Sequence, residues 1–390
     1  MIKQAVILCG GLGTRLLPIT QKIPKPMVII DRKPFLEHLI IQCKTNGIKN
    51  ILLLCGYKSE IIRKHFKNGK KFGVKIKYHF NPVEIETLKR LIEAKKLLNQ
   101  KFLLLYGDNY SSLNLDDLKK VYKKSKCPII LTICKKNPGN ILIDKKKNKI
   151  KKYFLEKMKS SNFVEIGYSI FDKRVFSKIN TNKNISLSYF LKTNTIQNKI
   201  SYYLNDTNYL SISDIKRLEI TKKILSNKVI LLDRDGVMNK KNKKHRYVRN
   251  LSDLEINHEF LKNYYKLLKN KKIICITNQA GIATGDLNNK NLREINNKIK
   301  KEYKKNGLLV VDFFISKHHF NSKNIERKPG HGLFLKAAIK HNFALDKTTY
   351  IGDDLRDIQA AYNAKTKCIY IGKEKIPKKS LKKFAHTINT

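Results

Sequence analysis

Val229-Ile-Leu-Leu-Asp233-Arg-Asp235-Gly-Val237 sets an apolar run, fit for a buried strand, directly against two aspartates one residue apart and a glycine. Residues i and i+2 of an extended chain project to the same side. Both carboxylates therefore face one pocket at the C-terminal end of a strand, where open α/β sheets bind their ligands. Such a pair can hold Mg²⁺, with one carboxylate free to attack and the other to move protons. A lone DxD arises by chance, so its downstream context decides. Ile276-Thr277-Asn278-Gln279-Ala280-Gly281 places a hydroxyl and an amide after a second strand, suited to a phosphoryl group. Arg327-Lys328-Pro329 brings a cation for the same phosphate, and Ile351-Gly352-Asp353-Asp354-Leu355-Arg356-Asp357 ends another strand with metal-binding carboxylates. Taken singly each fragment is common; Asp357, for one, reads as a helix N-terminal charge. Their order at successive strand ends is what builds a phosphate site.

Around this core the chain alternates apolar strands with amphipathic helices, which predicts mostly parallel sheets covered by helices. The second series runs through strands Val229–Leu232, Lys272–Thr277, Val310–Ser316, Thr349–Gly352 and Lys367–Ile371, with helices at His258–Leu268, Asn291–Lys304 and Leu333–His341. An earlier series offers strands Gln4–Cys9, Asn50–Cys55, Val74–Phe80, Lys101–Tyr106 and Ile129–Ile133, with helices at Phe35–Thr45 and Ile85–Leu98. Ile215–Leu225 reads as a closing helix, and Ser226-Asn227 restarts the chain. The motifs opening the two series are unrelated, so this is a fusion rather than a repeat.

Composition bounds the rest. At 390 residues the chain can fill two or three cores, and no run of 18 apolar residues marks a membrane span. Met1–Cys9 reads as a strand meeting a glycine loop, not a signal peptide. Seven scattered cysteines without a CxxC read as small buried hydrophobes of a reducing cytoplasm. The net charge of +51 invites a nucleic-acid reading. Lysine is spread along the whole chain, however, with abundant Asn and Ile and no Trp, and no zinc finger, aromatic RNA-binding pattern or recognition helix accompanies it. The expectation is therefore no nucleic acid and no membrane, with anionic small molecules as partners; the oligomeric state leaves no trace in the sequence.

The first strand runs into Gly10-Gly11-Leu12-Gly13-Thr14-Arg15-Leu16-Leu17-Pro18. Glycines let the backbone approach phosphates, their N–H groups can cradle an anion, and Arg15 adds a fork of donors. Pro24-Lys25-Pro26-Met27 then presents Lys25 on a rigid segment.

These motifs resemble the sugar-phosphate nucleotidyltransferase signature GGxGTRLxPxT…PKP over roughly residues 1–225. The resemblance implies attack by a sugar 1-phosphate on the α-phosphorus of an NTP. Gly10, Gly11, Gly13, Thr14, Arg15 and Lys25 would bind the nucleotide, and Asp108, in Tyr106-Gly107-Asp108, would hold Mg²⁺. Glu156-Lys157 matches the family's sugar-side pair. This chain departs from the pattern at Ile85–Arg90, where the family has a glycine-rich base loop, and at Ser211, where it has a second metal aspartate. Glu165 replaces its asparagine.

The second set resembles the haloacid dehalogenase (HAD) phosphatases, and DRDGVMN, TNQAGIATG and RKPG resemble more narrowly the heptose bisphosphate and histidinol phosphatase branch, over roughly residues 228–372 of a domain expected to span 228–390. That resemblance implies Asp233 as nucleophile and Asp235 as acid and base. It also implies phosphate binding by Thr277, Asn278 and Lys328, substrate reading by Arg327, and Mg²⁺ on Asp233, Asp235 and Asp353. The branch's CxH…CxC zinc loop reads Ser316-Lys317-His318 and Asn324-Ile325-Glu326 here, so no zinc is expected. Together the resemblances predict two Rossmann-like three-layer α/β domains, nucleotidyltransferase-type then HAD-type. They name consecutive steps: removal of the 7-phosphate from a heptose 1,7-bisphosphate and activation of the heptose 1-phosphate to a nucleotide sugar for a surface polysaccharide. Histidinol phosphate as the phosphatase substrate, and a first domain that only binds, stand as alternatives.

Overall fold

The structure, a computed structural model, describes residues 2–389 except 113, 114, 178, 180–182, 208, 243, 246, 385 and 386. Two compact units emerge, Met1–Lys222 and Lys223–Thr390, the division falling inside the helix Ile215–Leu225.

Unit 1 is built on a nine-stranded mixed sheet. Its first half is parallel, in the order Lys75–Phe80, Asn50–Cys55, Gln4–Cys9 and Lys101–Tyr106. Ala5, Val6, Ile7, Leu52 and Leu53 are completely buried, as expected of parallel strands covered on both faces. Beyond Lys101–Tyr106 the sheet turns mixed. Phe163–Asp172 runs antiparallel beside it, followed by Ile129–Lys135, Ile200–Leu204, Lys149–Met158 and Gly139–Asp144. The expected helix over Ile85–Leu98 is shorter: an α-helix spans Thr87–Glu93 and tightens into a 3-10 turn at Ala94–Leu97. The chain ahead of it is loop because the buried Arg90 side chain gathers its carbonyls.

In unit 2 six parallel strands stand in the order Leu309–Ser316, Lys272–Asn278, Val229–Leu232, Thr349–Gly352, Lys367–Tyr370 and Ile388–Asn389. Alternate residues of Val229–Leu232 feed two cores. Ile230 and Leu232 pack with Phe260, Leu261 and Ile299 on one face; Val229 and Leu231 pack with Phe334, Ala337 and Ile358 on the other. Three layers follow. The first strand sits centrally, its sequence neighbour on one side and a later strand on the other, so the chain emerging at Asp233 lies at the topological switch point.

Candidate active sites

Asp233 extends the central strand by one more ladder bond, its N–H donating to the Ile351 carbonyl at 2.9 Å. Its Oδ1 accepts from the Arg234 N–H at 2.7 Å and pairs with Lys328 Nζ at 2.8 Å. Oδ2 is left with no donor among the described residues. Burial raises the Asp233 carboxyl above the usual carboxylate range; Lys328 pulls against that rise and Asp357 adds to it.

Lys328 is fully enclosed. Its ammonium touches Asp233 Oδ1, Asp357 Oδ1 and the Tyr350 hydroxyl, each at 2.8 Å. Burial alone would lower its pKa, yet Asp233 and Asp357 raise it, so the cation is locked on. Asn278 holds the lysine from behind: its Nδ2 donates to the Lys328 carbonyl at 3.1 Å and its Oδ1 accepts from the Lys328 N–H at 3.0 Å. Both ends of that amide are engaged, so the Asn278 side chain positions Lys328. Thr277 is buried beside it, its hydroxyl oxygen accepting from Gln279 Nε2 at 2.9 Å, which leaves the O–H proton for an incoming acceptor.

Asp357 is both the N3 residue of a capping box on the helix Leu355–Asn363 and the hub beneath the site. Its Oδ2 accepts from the N–H groups of Asp353 and Asp354 at 3.1 and 3.0 Å. Asp233, Asp353 and Asp357 each bring a carboxylate oxygen within 4.8 Å of the others. This all-oxygen set fits a hard divalent cation, chiefly through Asp233 and Asp353, since Asp357 is spent on hydrogen bonds. Gly236, at φ 88, makes the close approach possible: a Cβ there would lie 2.1 Å from Asp353 Oδ2.

Asp235 sits in a cage. Arg234 Nη2 donates to both its oxygens at 2.9 Å, Asn239 Nδ2 to Oδ1 at 3.0 Å, and Gln279 Nε2 to Oδ2 at 2.8 Å. Burial raises its pKa, but Arg234, Asn239 and Gln279 outweigh that and hold the carboxyl below its ordinary range. Neither Arg234 nor Gln279 stood out in the sequence, although each adjoins a motif residue. Arg327 is buried, donates to the His318 carbonyl at 3.3 Å, and lines the same cleft of about 260 Å³ with Lys241, His245, Tyr247 and Arg356. At the positions of the branch's zinc loop, Ser316 spends its carbonyl on the Gln279 N–H at 2.7 Å and Glu326 pairs with Lys336 at 2.5 Å.

In unit 1 a cleft of about 380 Å³ opens between Gly10, Gly11, Lys25 and Asp108 on one side and Val83–Thr87 on the other. Lys25 Nζ contacts Asp108 Oδ2 at 3.0 Å. Gly13 turns the loop at φ 72, and Thr14 and Arg15 follow it as an exposed 3-10 turn outside the cleft wall. Nothing in the sequence sets Arg90 apart from the other basic residues. Its guanidinium donates to the carbonyls of Cys55, Pro82, Val83 and Ile85 at 2.7 to 3.1 Å, packed where side chains on Gly10 or Gly56 would collide. The chain thus walls this cleft with an arginine-knotted loop where the family pattern has glycines.

Tyr209–Ser211 pairs with Asn109–Ser111, which brings Ser211 next to the Asp108 turn; the Ile212 N–H donates to the Asp108 carbonyl at 2.9 Å. The Ser211 hydroxyl is buried and accepts from the Ser213 N–H at 3.1 Å. Ser211 thus adds no carboxylate beside Asp108, and further ligands to a cation there would come from substrate phosphates and water. Glu165 lies where Phe163–Asp172 slips register against Ile129–Lys135. Its Oε1 accepts from the Gly167 N–H at 2.8 Å, with Gly167 at φ 74 against the Tyr106 ring. Burial pushes this carboxyl up to about 7, against the Gly167 N–H and the Tyr106 hydroxyl. Glu156 and Lys157 stand exposed on Lys149–Met158.

Residues 4–212 match the family model for nucleotidyl transferase, and residues 228–389 the model for polynucleotide kinase 3 phosphatase. The D-glycero-alpha-D-manno-heptose 1-phosphate guanylyltransferase of Campylobacter jejuni is 33% identical over 214 residues, covering 54% of this chain and 94% of that protein. A Bacillus subtilis protein described as a glucose-1-phosphate cytidylyltransferase is 30% identical over 196 residues, 44% of this chain and 76% of its own. In fold, unit 1 is similar to a Bacillus anthracis crystal structure assigned as a glucose-1-phosphate thymidylyltransferase, with a TM-score of 0.52, 18% identity, and coverage of 56% of this chain and 93% of that one. The chain belongs to the nucleotidyl transferase family and joins that domain to a HAD-type phosphatase domain.

Proposed function

We propose that unit 2 is a Mg²⁺-dependent phosphatase removing the 7-phosphate of D-glycero-D-manno-heptose 1,7-bisphosphate, and that unit 1 joins the heptose 1-phosphate product to a nucleotide. The observation that carries this reading is the meeting of Asp233, Lys328 and Asp353 at the switch point, in a chain whose other half is similar to a heptose 1-phosphate guanylyltransferase. Asp233 Oδ2 forms the bond to phosphorus while the bond to the sugar oxygen breaks. Lys328 and the Thr277 hydroxyl bind the phosphoryl oxygens in transit. Water then cleaves the aspartyl-phosphate, giving inorganic phosphate and restoring the carboxylate. Asp235, held as an anion, is placed to take the water's proton; to protonate the leaving oxygen first it must leave the Arg234–Asn239–Gln279 cage and take up a proton from solvent, and the proton later taken from water restores the balance. A divalent cation on Asp233 and Asp353 would offset the repulsion between phosphate and carboxylate.

In unit 1 the glycine loop and Lys25 would steady the NTP phosphates, with GTP the first nucleotide to try. The engaged Ser211 hydroxyl favours a second reading, in which this unit binds sugar phosphate without transferring a nucleotide. All seven cysteines are free and buried and no helix among the described residues is long and apolar enough to cross a membrane, which accords with a cytoplasmic route.

The test is to supply heptose 1,7-bisphosphate, Mg²⁺ and each NTP, and to assay phosphate and pyrophosphate separately. Phosphate with GTP-dependent pyrophosphate is expected. Phosphate alone selects the second reading, and preference for histidinol phosphate or a 3′-phosphorylated oligonucleotide overturns the substrate.

A further inference from the structure

The two carboxylates best placed to hold a cation in unit 2 each already carry an ammonium group. Asp233 has Lys328 at 2.8 Å, and Asp353 has Lys241 Nζ at 2.6 Å from Oδ2. The two lysines differ in everything else. Lys328 is 4% exposed and fixed by Asp233, Asp357, Tyr350 and the Asn278 clamp on its backbone. Lys241 has a side chain 59% exposed, stands on the loop after Asn239, and makes no other ion pair among the described residues. Its partner Asp353 is only 10% exposed and pressed against Gly236, so the carboxylate cannot follow the lysine if the two part.

A divalent cation arriving between Asp233 and Asp353 adds two positive charges beside two ammonium groups. Repulsion at this range is substantial in a half-buried site. Lys328 has no room to yield; Lys241, its side chain 59% exposed, has one ion pair to give up and water to take its place. Once off Asp353 its ammonium remains at the cleft it lines with Thr277, Arg327 and Lys328, where a phosphate would dock.

The geometry points to Lys241 as a substrate-phosphate-binding residue that rests on Asp353 until a divalent cation takes that carboxylate. The inference depends on the phosphatase reading of unit 2 and adds to it an order: cation first, phosphate second. Lys241 thereby couples the two occupants. Without cation it stays on Asp353 and phosphate meets a weaker site; with cation it adds a charge-assisted hydrogen bond.

The test uses Mn²⁺ as cation probe and inorganic phosphate as anion probe on the full chain. Mn²⁺ binding is followed by electron paramagnetic resonance, with Asp353→Asn subtracting binding elsewhere. Lys241→Gln should tighten Mn²⁺ about two- to fivefold, the range of one ion pair with a solvent-exposed lysine. It should weaken phosphate at saturating Mn²⁺ about tenfold, the range of a lost charge-assisted hydrogen bond, and Lys241→Arg should restore phosphate binding. Unchanged or weaker Mn²⁺ binding in Lys241→Gln would overturn the inference, because Lys241 would then brace Asp353 rather than compete for it. Wild-type protein that binds Mn²⁺ independently of Asp353 and releases no phosphate from any monoester would instead sink the phosphatase reading itself.

Discussion

The two clefts of this chain handle phosphate in opposite styles. In unit 2 the charged groups are buried and partnered before any ligand arrives: Lys328 touches Asp233, Asp357 and Tyr350, and Asp235 is caged by Arg234, Asn239 and Gln279. In unit 1 the cleft is walled by the glycine loop and by the loop knotted on Arg90, and Lys25 pairs with Asp108 at its edge. The difference follows from the chemistry proposed for each. A carboxylate that must attack a phosphate needs its charge offset at fixed points. A transfer between two bound substrates needs mainly a surface that brings them into line.

Breaking this contrast at its strongest point means removing the nucleophile. Asp233→Asn should cut phosphate release by about 10³-fold or more while leaving pyrophosphate release from separately supplied heptose 1-phosphate intact. Loss of both would show that the units do not work as separate sites. Lys25→Ala should lower pyrophosphate release about 10²-fold, as for a lost donor to transferring phosphates, with the phosphatase untouched; an unchanged rate would place the chemistry elsewhere.

A smaller effect is expected at Arg90. Arg90→Met leaves the carbonyls of Cys55, Pro82, Val83 and Ile85 without their donor, costing about 2 kcal/mol. Calorimetry should show unit 1 melting several degrees lower, and the KM for NTP should rise. A raised KM without a lower melting temperature would mean Arg90 touches the nucleotide directly.

The subtlest probe is Glu165. Its folded pKa of about 7 exceeds its ordinary 4.5, so ionisation opposes folding: the contribution is fully present below pH 4.5 and is lost as pH rises towards 7. Wild type should therefore lose thermal stability across that window relative to Glu165→Gln. Parallel curves would show that the carboxyl is not strained by burial.

What the sequence revealed and what it hid both have physical reasons. The Asp233–Asp235 pair was legible because an apolar strand run and an i, i+2 spacing fix where side chains point. The strand Lys149–Met158 was missed because Lys149, Lys151, Lys152 and Lys157 crowd it and drown the alternation, and Gly139–Asp144 because it opens on the turn signal Asn137-Pro138-Gly139. Arg90 was illegible for a related reason: among 82 lysines and arginines, one that is wholly buried looks like any other. Asp357 was visible as a helix N-terminal charge, and it is one; that the same carboxylate also anchors Lys328 depends on a strand and a helix meeting in space.

Asp233, Asp357 and Tyr350 fix the Lys328 ammonium, and Asn278 its backbone, before any phosphate arrives. A free lysine side chain gives up roughly 1.5–2 kcal/mol of rotamer entropy when immobilised. For Lys328 that loss is incurred once, when the chain folds, and never again during turnover. Its grip on phosphate should then change little with temperature until the strand end carrying Asn278 frays from the Lys328 segment, at which point binding and local order fail together.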